Sequence, residues 1–187
     1  SSRVVREHEV ETLACGLVSV MGGKWTTCRP MAEDTLVAVE RQLGRALPPP
    51  EPMPLRGAAG SLQTTQDGLQ RQKHQLEALL PDTSLRAAQI AHLQGSYGLE
   101  AMALIEPAES SQREPLSSVI PLCAAELEHA IEREHARSSS DVLARRSRLA
   151  MVDLNEAERL RPQVEALLDQ AGVAAGSTSP INHQLNP

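Results

Sequence analysis

Two glycines, a lysine and two threonines stand together in Gly22-Gly23-Lys24-Trp25-Thr26-Thr27-Cys28-Arg29, in an order that suits the binding of an anion or a cofactor. A short apolar run, Leu17-Val18-Ser19-Val20-Met21, leads into them, and the helix-forming stretch Pro30-Met31-Ala32-Glu33-Asp34-Thr35 follows. The pattern predicts a strand, a tight turn and a helix N-terminus. Glycine lets a backbone turn sharply and approach a ligand with no side chain between. The first turn of a helix leaves N–H groups unpartnered, and its aligned peptide dipoles favour negative charge. Lys24 adds a full positive charge beside those donors. Taken alone, Lys24 reads as a solvated surface lysine. Its neighbours turn the reading toward a ligand.

The elements that must position this turn follow from the hydropathy pattern. Residues 3–21 alternate as one or two strands, with Glu11 to Gly16 as the turn between them. Met31, Thr35, Val39 and Leu43 recur four apart in a helix from Thr27 to Leu43, stopped by Gly44. The prolines from Pro48 to Pro54 cannot continue a helix and read as a stiff linker, followed by the loop Gly57-Ala58-Ala59-Gly60. Beyond it the period is helical: Asp67–Leu80, Ser84–Gly95, Gly98–Ile105, Val119–His135, Asp141–Val152 capped by Ser140, and a last helix from Leu154 with Gly172 after its end. The expected organisation is 1–45, 46–60 as a Pro/Gly-rich linker, 61–174 as a helical domain and 175–187 as a flexible tail. The expected class is mainly α.

Composition sets the boundaries of function. A chain of 187 residues can bury one core of ordinary size. With no Phe, one Trp and one Tyr, that core must be made of Leu, Ala, Val and Ile, which suits helix packing. A net charge of −6 argues against nonspecific nucleic-acid binding, because such binding needs clustered Lys and Arg. Arg133, Arg137, Arg145, Arg146 and Arg148 are interleaved with Glu126, Glu128, Glu132, Glu134 and Asp141, so they read as a mixed, salt-bridged surface. No apolar run reaches the length of a membrane span. Cys15, Cys28 and Cys123 are odd in number and widely spaced, and neither they nor the six histidines show zinc-ligand spacing. Free thiols and no metal are expected, with Cys28 as a small buried thiol.

The glycine-lysine-threonine run resembles the Gly-Gly-Lys-x-Thr-Thr-aromatic-Arg segment of FAD-dependent glycerol-3-phosphate dehydrogenases, and Met31-Ala32-Glu33-Asp34 fits as well. Upstream, Arg6-Glu7-His8 resembles the Arg-x-His segment of that family at similar spacing. Downstream, His92-Leu93 with Tyr97-Gly98, Ala125-Glu126-Leu127 with Glu134, and Asp141 to Leu149 follow in the family's order. The chain departs from the family at Cys28, which stands where an aromatic residue is usual. It also lacks any Gly-x-Gly-x-x-Gly, the fingerprint that receives the FAD pyrophosphate, and it begins at Ser1. The resemblance therefore implies the C-terminal part of a longer flavoenzyme. Residues 1–45 would be the end of an FAD-binding α/β domain, a strand–turn–helix remnant ahead of the helical C-terminal domain.

On that resemblance, Gly22, Gly23, Lys24, Trp25, Thr26 and Thr27 form the cofactor-binding turn under the flavin, with backbone N–H groups toward its pyrimidine edge. Arg6 and Lys24 bind the substrate, whose phosphate suits a guanidinium fork. Trp25 packs beside the flavin or on the strand below. His8 reads as structural, and the proton acceptor is expected upstream, so no catalytic residue is assigned here. The implied reaction oxidises sn-glycerol 3-phosphate to dihydroxyacetone phosphate, with FAD passing electrons to quinone, or to oxygen in a glycerophosphate oxidase. The implied enzyme is peripheral to a membrane, cytoplasmic or on the mitochondrial inner membrane in a eukaryote, with a homodimer as the expected assembly. The rival reading is a stand-alone helical interaction module in which Lys24 is idle.

Overall fold

The computed structural model describes residues 7–49, 51 and 53–173. It is mainly α, with a single two-stranded sheet among the described residues. The chain divides into two compact units between Met53 and Pro54. The expected tail, 175–187, lies outside the described residues.

In the first unit, β1 (His8–Thr12) and β2 (Val18–Gly22) pair antiparallel, with His8 opposite Gly22 and Thr12 opposite Val18. The hairpin closes through the Leu13 N–H donating to Leu17 O at 2.8 Å and the Gly16 N–H donating to Leu13 O at 2.8 Å. A single 3-10 turn, Trp25–Thr27, leads into α1 (Cys28–Leu43), which lies against both strands. Gly44, left-handed at φ 65°, ends α1 as its sequence position predicts. The covered face of α1 is Met31, Thr35, Ala38 and Val39, whereas Leu43 is exposed and leaves the four-apart stripe. No described residue of this unit is fully buried, and Leu17, Val20, Met21 and Trp25 are exposed. A hairpin and one helix are too small to close a core.

The second unit carries α2 (Leu62–Leu79), α3 (Arg86–Tyr97), α4 (Ala101–Ile105), α5 (Ala124–Glu132), α6 (Leu149–Val152) and α7 (Leu154–Gln170). Helix α3 lies two residues later than Ser84–Gly95, the helix expected over Gly98–Ile105 opens as a 3-10 turn, Gly98–Glu100, and three elements depart further from the sequence expectation. Helix α2 starts ahead of Asp67, because the Ser61 Oγ accepts the Thr64 N–H at 3.1 Å and caps a first turn that is mostly polar. Helix α5 is shorter than Val119–His135, because Pro115 bridges to Cys123 ahead of it and His135 turns left-handed at φ 55° after it. The single helix expected from Asp141 breaks into a π-helical turn, Asp141–Arg146, and α6, with Arg148 at φ 59° between them. Ser140 makes no capping bond. The Ser138 Oγ accepts the Asp141 N–H instead, at 3.1 Å.

Aliphatic side chains form the core, as the lack of aromatics requires. One cluster gathers Leu127, Ile131, Val142, Leu143, Leu149, Leu160 and Val164 from α5, the π-helical turn, α6 and α7. The other gathers Leu76, Ile90, Leu93, Leu104 and Ile105 from α2, α3 and α4, with Cys123 and Ala125 reaching it from the start of α5. Helix α5 thus serves both clusters.

One backbone crossing within this unit admits no side chain. Gly98 sits at φ 57°, ψ −132°, outside the range of ordinary L residues, and the Leu99 N–H donates to Gly57 O at 2.9 Å. A Cβ on Gly98 would overlap Gly57 O and lie 2.9 Å from the Gly57 carbonyl carbon. Gly98→Ala is therefore expected to destabilise the helical unit by about 3 kcal/mol. The urea midpoint followed by helical circular dichroism checks this, and an unchanged midpoint would contradict it.

Candidate functional site

The turn after β2 is built by the chain's own packing. Gly22 and Gly23 adopt φ 76° and 81°. A Cβ on Gly22 would meet Glu7 O at 2.8 Å, and one on Gly23 would overlap the Met31 Sδ and lie 3.3 Å from the His8 Cβ. The sharp turn expected of these glycines is present, and the close approach of Glu7, His8 and Met31 demands them as well.

Beyond the glycines, Lys24 is extended at φ −138°, ψ 157°, and exposed. Its N–H donates to the Thr27 Oγ1 at 3.1 Å, and that hydroxyl donates to Lys24 O at 3.0 Å. The Thr27 N–H also donates to Lys24 O at 3.0 Å, and the Gly23 N–H donates to Glu7 O at 3.3 Å. The amides of Gly23, Lys24 and Thr27 therefore have acceptors within the chain. Those of Trp25 and Thr26 open the 3-10 turn, where no preceding carbonyl of the helix can receive them. Both residues are exposed, so these two amides stand with Lys24 as candidate donors of the turn.

Other residues singled out by sequence stand as follows. Trp25 is 91% exposed, so no strand of this unit covers it. Cys28 is exposed rather than buried, because it is the first residue of α1 and lies off the face that meets the hairpin. Cys15 is exposed too, and all three cysteines are free. Arg6 lies outside the described residues. Among the described residues no three His, Cys, Asp or Glu side chains converge as a metal site, and no helix is long and apolar enough to cross a membrane.

Sequence reasoning passed over one contact beside this turn. The His8 Nε2 and the Asp34 Oδ2 lie 2.7 Å apart, joining β1 to α1. The partners are far apart in sequence, and no local periodicity links them. The only available signal was the strand register that sets His8 opposite the glycines.

The helical unit has its own polar cavity, of about 340 Å³, lined by His92, Tyr97, Glu126, Glu134, Arg145 and Arg146. Several of its groups are engaged within the fold. The Glu126 Oε1 lies 2.7 Å from the His92 Nε2, and its Oε2 accepts the Cys123 N–H at 2.9 Å. Arg146 donates to Glu134 O at 2.7 Å, and Arg145 to the Asp141 Oδ1 at 2.8 Å. Burial, then the Glu126 carboxylate, push the Cys123 thiol up to about 12, and the same two causes raise the Tyr97 phenol. Cys123 is therefore held as an inert thiol. Asp141 is pulled below the usual carboxylate range: burial, the largest single cause, pushes its carboxyl up, and is outweighed together by donation from the Arg137 N–H, the Ser138 hydroxyl and Arg145. Arg145 and Arg146 thus brace the fold through their side chains, while Arg137 contributes its backbone N–H.

Residues 51–172 match the family described as the C-terminal domain of alpha-glycerophosphate oxidase. The chain is 29% identical over 171 residues to the mitochondrial glycerol-3-phosphate dehydrogenase of Bos taurus, covering 88% of this chain and 22% of that protein. It is 29% identical over 168 residues to the probable mitochondrial glycerol-3-phosphate dehydrogenase of Dictyostelium discoideum, covering 88% of this chain and 25% of that protein. With the mitochondrial glycerol-3-phosphate dehydrogenase of Schizosaccharomyces pombe it shares 29% identity over 181 residues, 82% of this chain and 27% of that protein. The chain thus spans about a quarter of the length of these relatives. Only residues 173–187 follow the family match, so a likeness covering 88% of the chain must extend into its first fifty residues.

Proposed function

The chain belongs to the family of the C-terminal domain of alpha-glycerophosphate oxidase, and from that premise we propose that it works within a flavoenzyme that oxidises sn-glycerol 3-phosphate to dihydroxyacetone phosphate. The observation that carries the reading is an exposed lysine, Lys24, directly preceding the exposed Trp25 and Thr26, whose amides open the 3-10 turn. Two amides and a cation form a donor set that fits the electron-rich pyrimidine edge of a flavin. FAD, when bound, supplies the ring that accepts a hydride and releases electrons onward. The chain's own residues do the rest. The Trp25 and Thr26 N–H groups hold and orient the cofactor edge, and Lys24 places positive charge where reduction adds negative charge. Lys24 also reaches the substrate phosphate, and Arg6 completes the phosphate site with its guanidinium fork. Trp25 shields the ring from water.

Two further observations support the reading. The names of the relatives specify a glycerol-3-phosphate dehydrogenase, and the likeness to them runs into the unit that holds the turn. That unit also leaves Leu17, Val20 and Met21 exposed, as a segment covered by a larger cofactor domain would. We assign quinone as the electron acceptor, a peripheral place at a membrane and a homodimeric enzyme. The mitochondrial inner membrane is the site in a eukaryote, and the cytoplasmic face of the membrane otherwise. Oxygen is the second reading of the acceptor, because the matched family is named for an oxidase.

The test is dye reduction by the flavoprotein that carries this segment. Glycerol 3-phosphate is expected to drive it and glycerol is not, with a soluble quinone outcompeting oxygen. No reduction with glycerol 3-phosphate would overturn the assignment and favour the interaction module. The 187-residue chain has no dinucleotide fingerprint, so it is not expected to retain FAD alone. Stoichiometric FAD on the isolated chain would contradict that.

A further inference from the structure

We propose that the His8–Asp34 bond is a clip that positions the Gly22–Lys24 turn, making His8 and Asp34 positioning residues for the site. The inference rests on the flavin-edge reading of that turn. Three features of the first unit carry it. His8 is the residue directly opposite Gly22, so it marks the place where β2 ends and the turn leaves the sheet. The turn itself passes between β1 and α1, since a Cβ on Gly23 would meet both the His8 Cβ and the Met31 Sδ. The His8 imidazole then reaches α1 at Asp34, three residues beyond Met31, with 2.7 Å between Nε2 and Oδ2. Strand and helix are thus tied together on the flank of the two glycines.

The turn needs such a tie. Two adjacent glycines carry more backbone freedom than any other pair, and neither has a side chain to anchor it. The backbone anchor on the β1 side is the Gly23 N–H donating to Glu7 O at a long 3.3 Å. Lys24 and the Trp25 and Thr26 amides follow directly, so any sway at Gly23 moves the donors and the charge together. A displacement of an ångström at a reacting centre can cost about a hundredfold in rate. Asp34 is well exposed, and exposed ion pairs add little to global stability. Loss of the clip therefore shows at the turn rather than in unfolding.

The first experiment is amide hydrogen exchange on the flavoprotein that carries this segment, comparing wild type with His8→Ala, Asp34→Ala and the double variant. Exchange at Gly23 and Lys24 is expected to rise at least about tenfold in each single variant, with no further rise in the double. Amides of α2 to α7 are expected to stay unchanged, which controls for unfolding. The second experiment introduces Asp34→Asn and His8→Ala into the flavoprotein that carries this segment. The rate of flavin reduction at saturating glycerol 3-phosphate is expected to fall about tenfold. The KM is expected to rise by a smaller factor, since Lys24 is retained but moves with the turn. Unchanged exchange at Gly23 and Lys24 would overturn the clip, and so would raised exchange with unchanged flavin reduction. Full activity in Lys24→Ala would instead overturn the flavin-edge reading, leaving the exchange result to stand separately.

Discussion

Glu126→Ala is expected to cost the helical unit about 2–4 kcal/mol, because it removes a buried carboxylate and leaves the groups that donate to it unpaired. Glu126 is 5% exposed, and both of its oxygens are engaged, one by the His92 imidazole and one by the Cys123 N–H. The second bond closes the start of α5, which feeds both hydrophobic clusters, so the damage is not confined to one of them. Truncation would leave the imidazole without its acceptor, strip the first turn of α5 of its cap and open space beside the core. Glu126→Gln keeps the volume and one good acceptor, and is expected to cost less than half as much. Urea unfolding of both variants checks the order. Equal midpoints for wild type and Glu126→Ala would contradict the account of this network.

Lys24→Ala is expected to lower kcat/KM for glycerol 3-phosphate by about 10²–10³ in the flavoprotein, comparable to removing one preorganised donor from an anion-stabilising site. Lys24 is the one full charge within the Gly22–Thr27 turn, and it is exposed at the head of the two available amides. On the proposed reading, its loss removes a charge-assisted contact to phosphate and a charge beside the ring that gains electrons. Both kcat and KM are therefore expected to suffer. Lys24→Arg keeps the charge but spreads it over a plane, and should recover part of KM before kcat. The fold should not notice either substitution, because Lys24 contributes backbone rather than side-chain bonds to the turn.

The two sites were not equally legible in the sequence. The turn around Lys24 could be read because everything that makes it is local: apolar alternation up to Met21, two glycines, a lysine, and a four-apart helical stripe through Met31, Thr35 and Val39. A second demand on the glycines was not legible. Their Cβ positions are occupied by Glu7 O and the Met31 Sδ, contacts that depend on how β1 and α1 fold back on the turn. The His8–Asp34 bond was hidden for the same reason. The start of α2 was missed because Ser61 caps a turn of polar residues that carries no hydrophobic period. The break at Arg148 was missed because its left-handed φ is not announced by a glycine. There the neighbouring packing of Leu143 and Leu149 in one cluster overrides local preference.

The central claim is that the Gly22–Thr27 turn is the edge of a flavin site acting on glycerol 3-phosphate. The most direct measurement is a single-turnover one: rapid mixing of the oxidised flavoprotein with glycerol 3-phosphate, following the loss of flavin absorbance in wild type and Lys24→Ala. The account predicts fast bleaching in the wild type and bleaching at least about a hundredfold slower in the variant at saturating substrate, with flavin content preserved. Equal bleaching rates in the two proteins would contradict it and reduce the turn to scaffold.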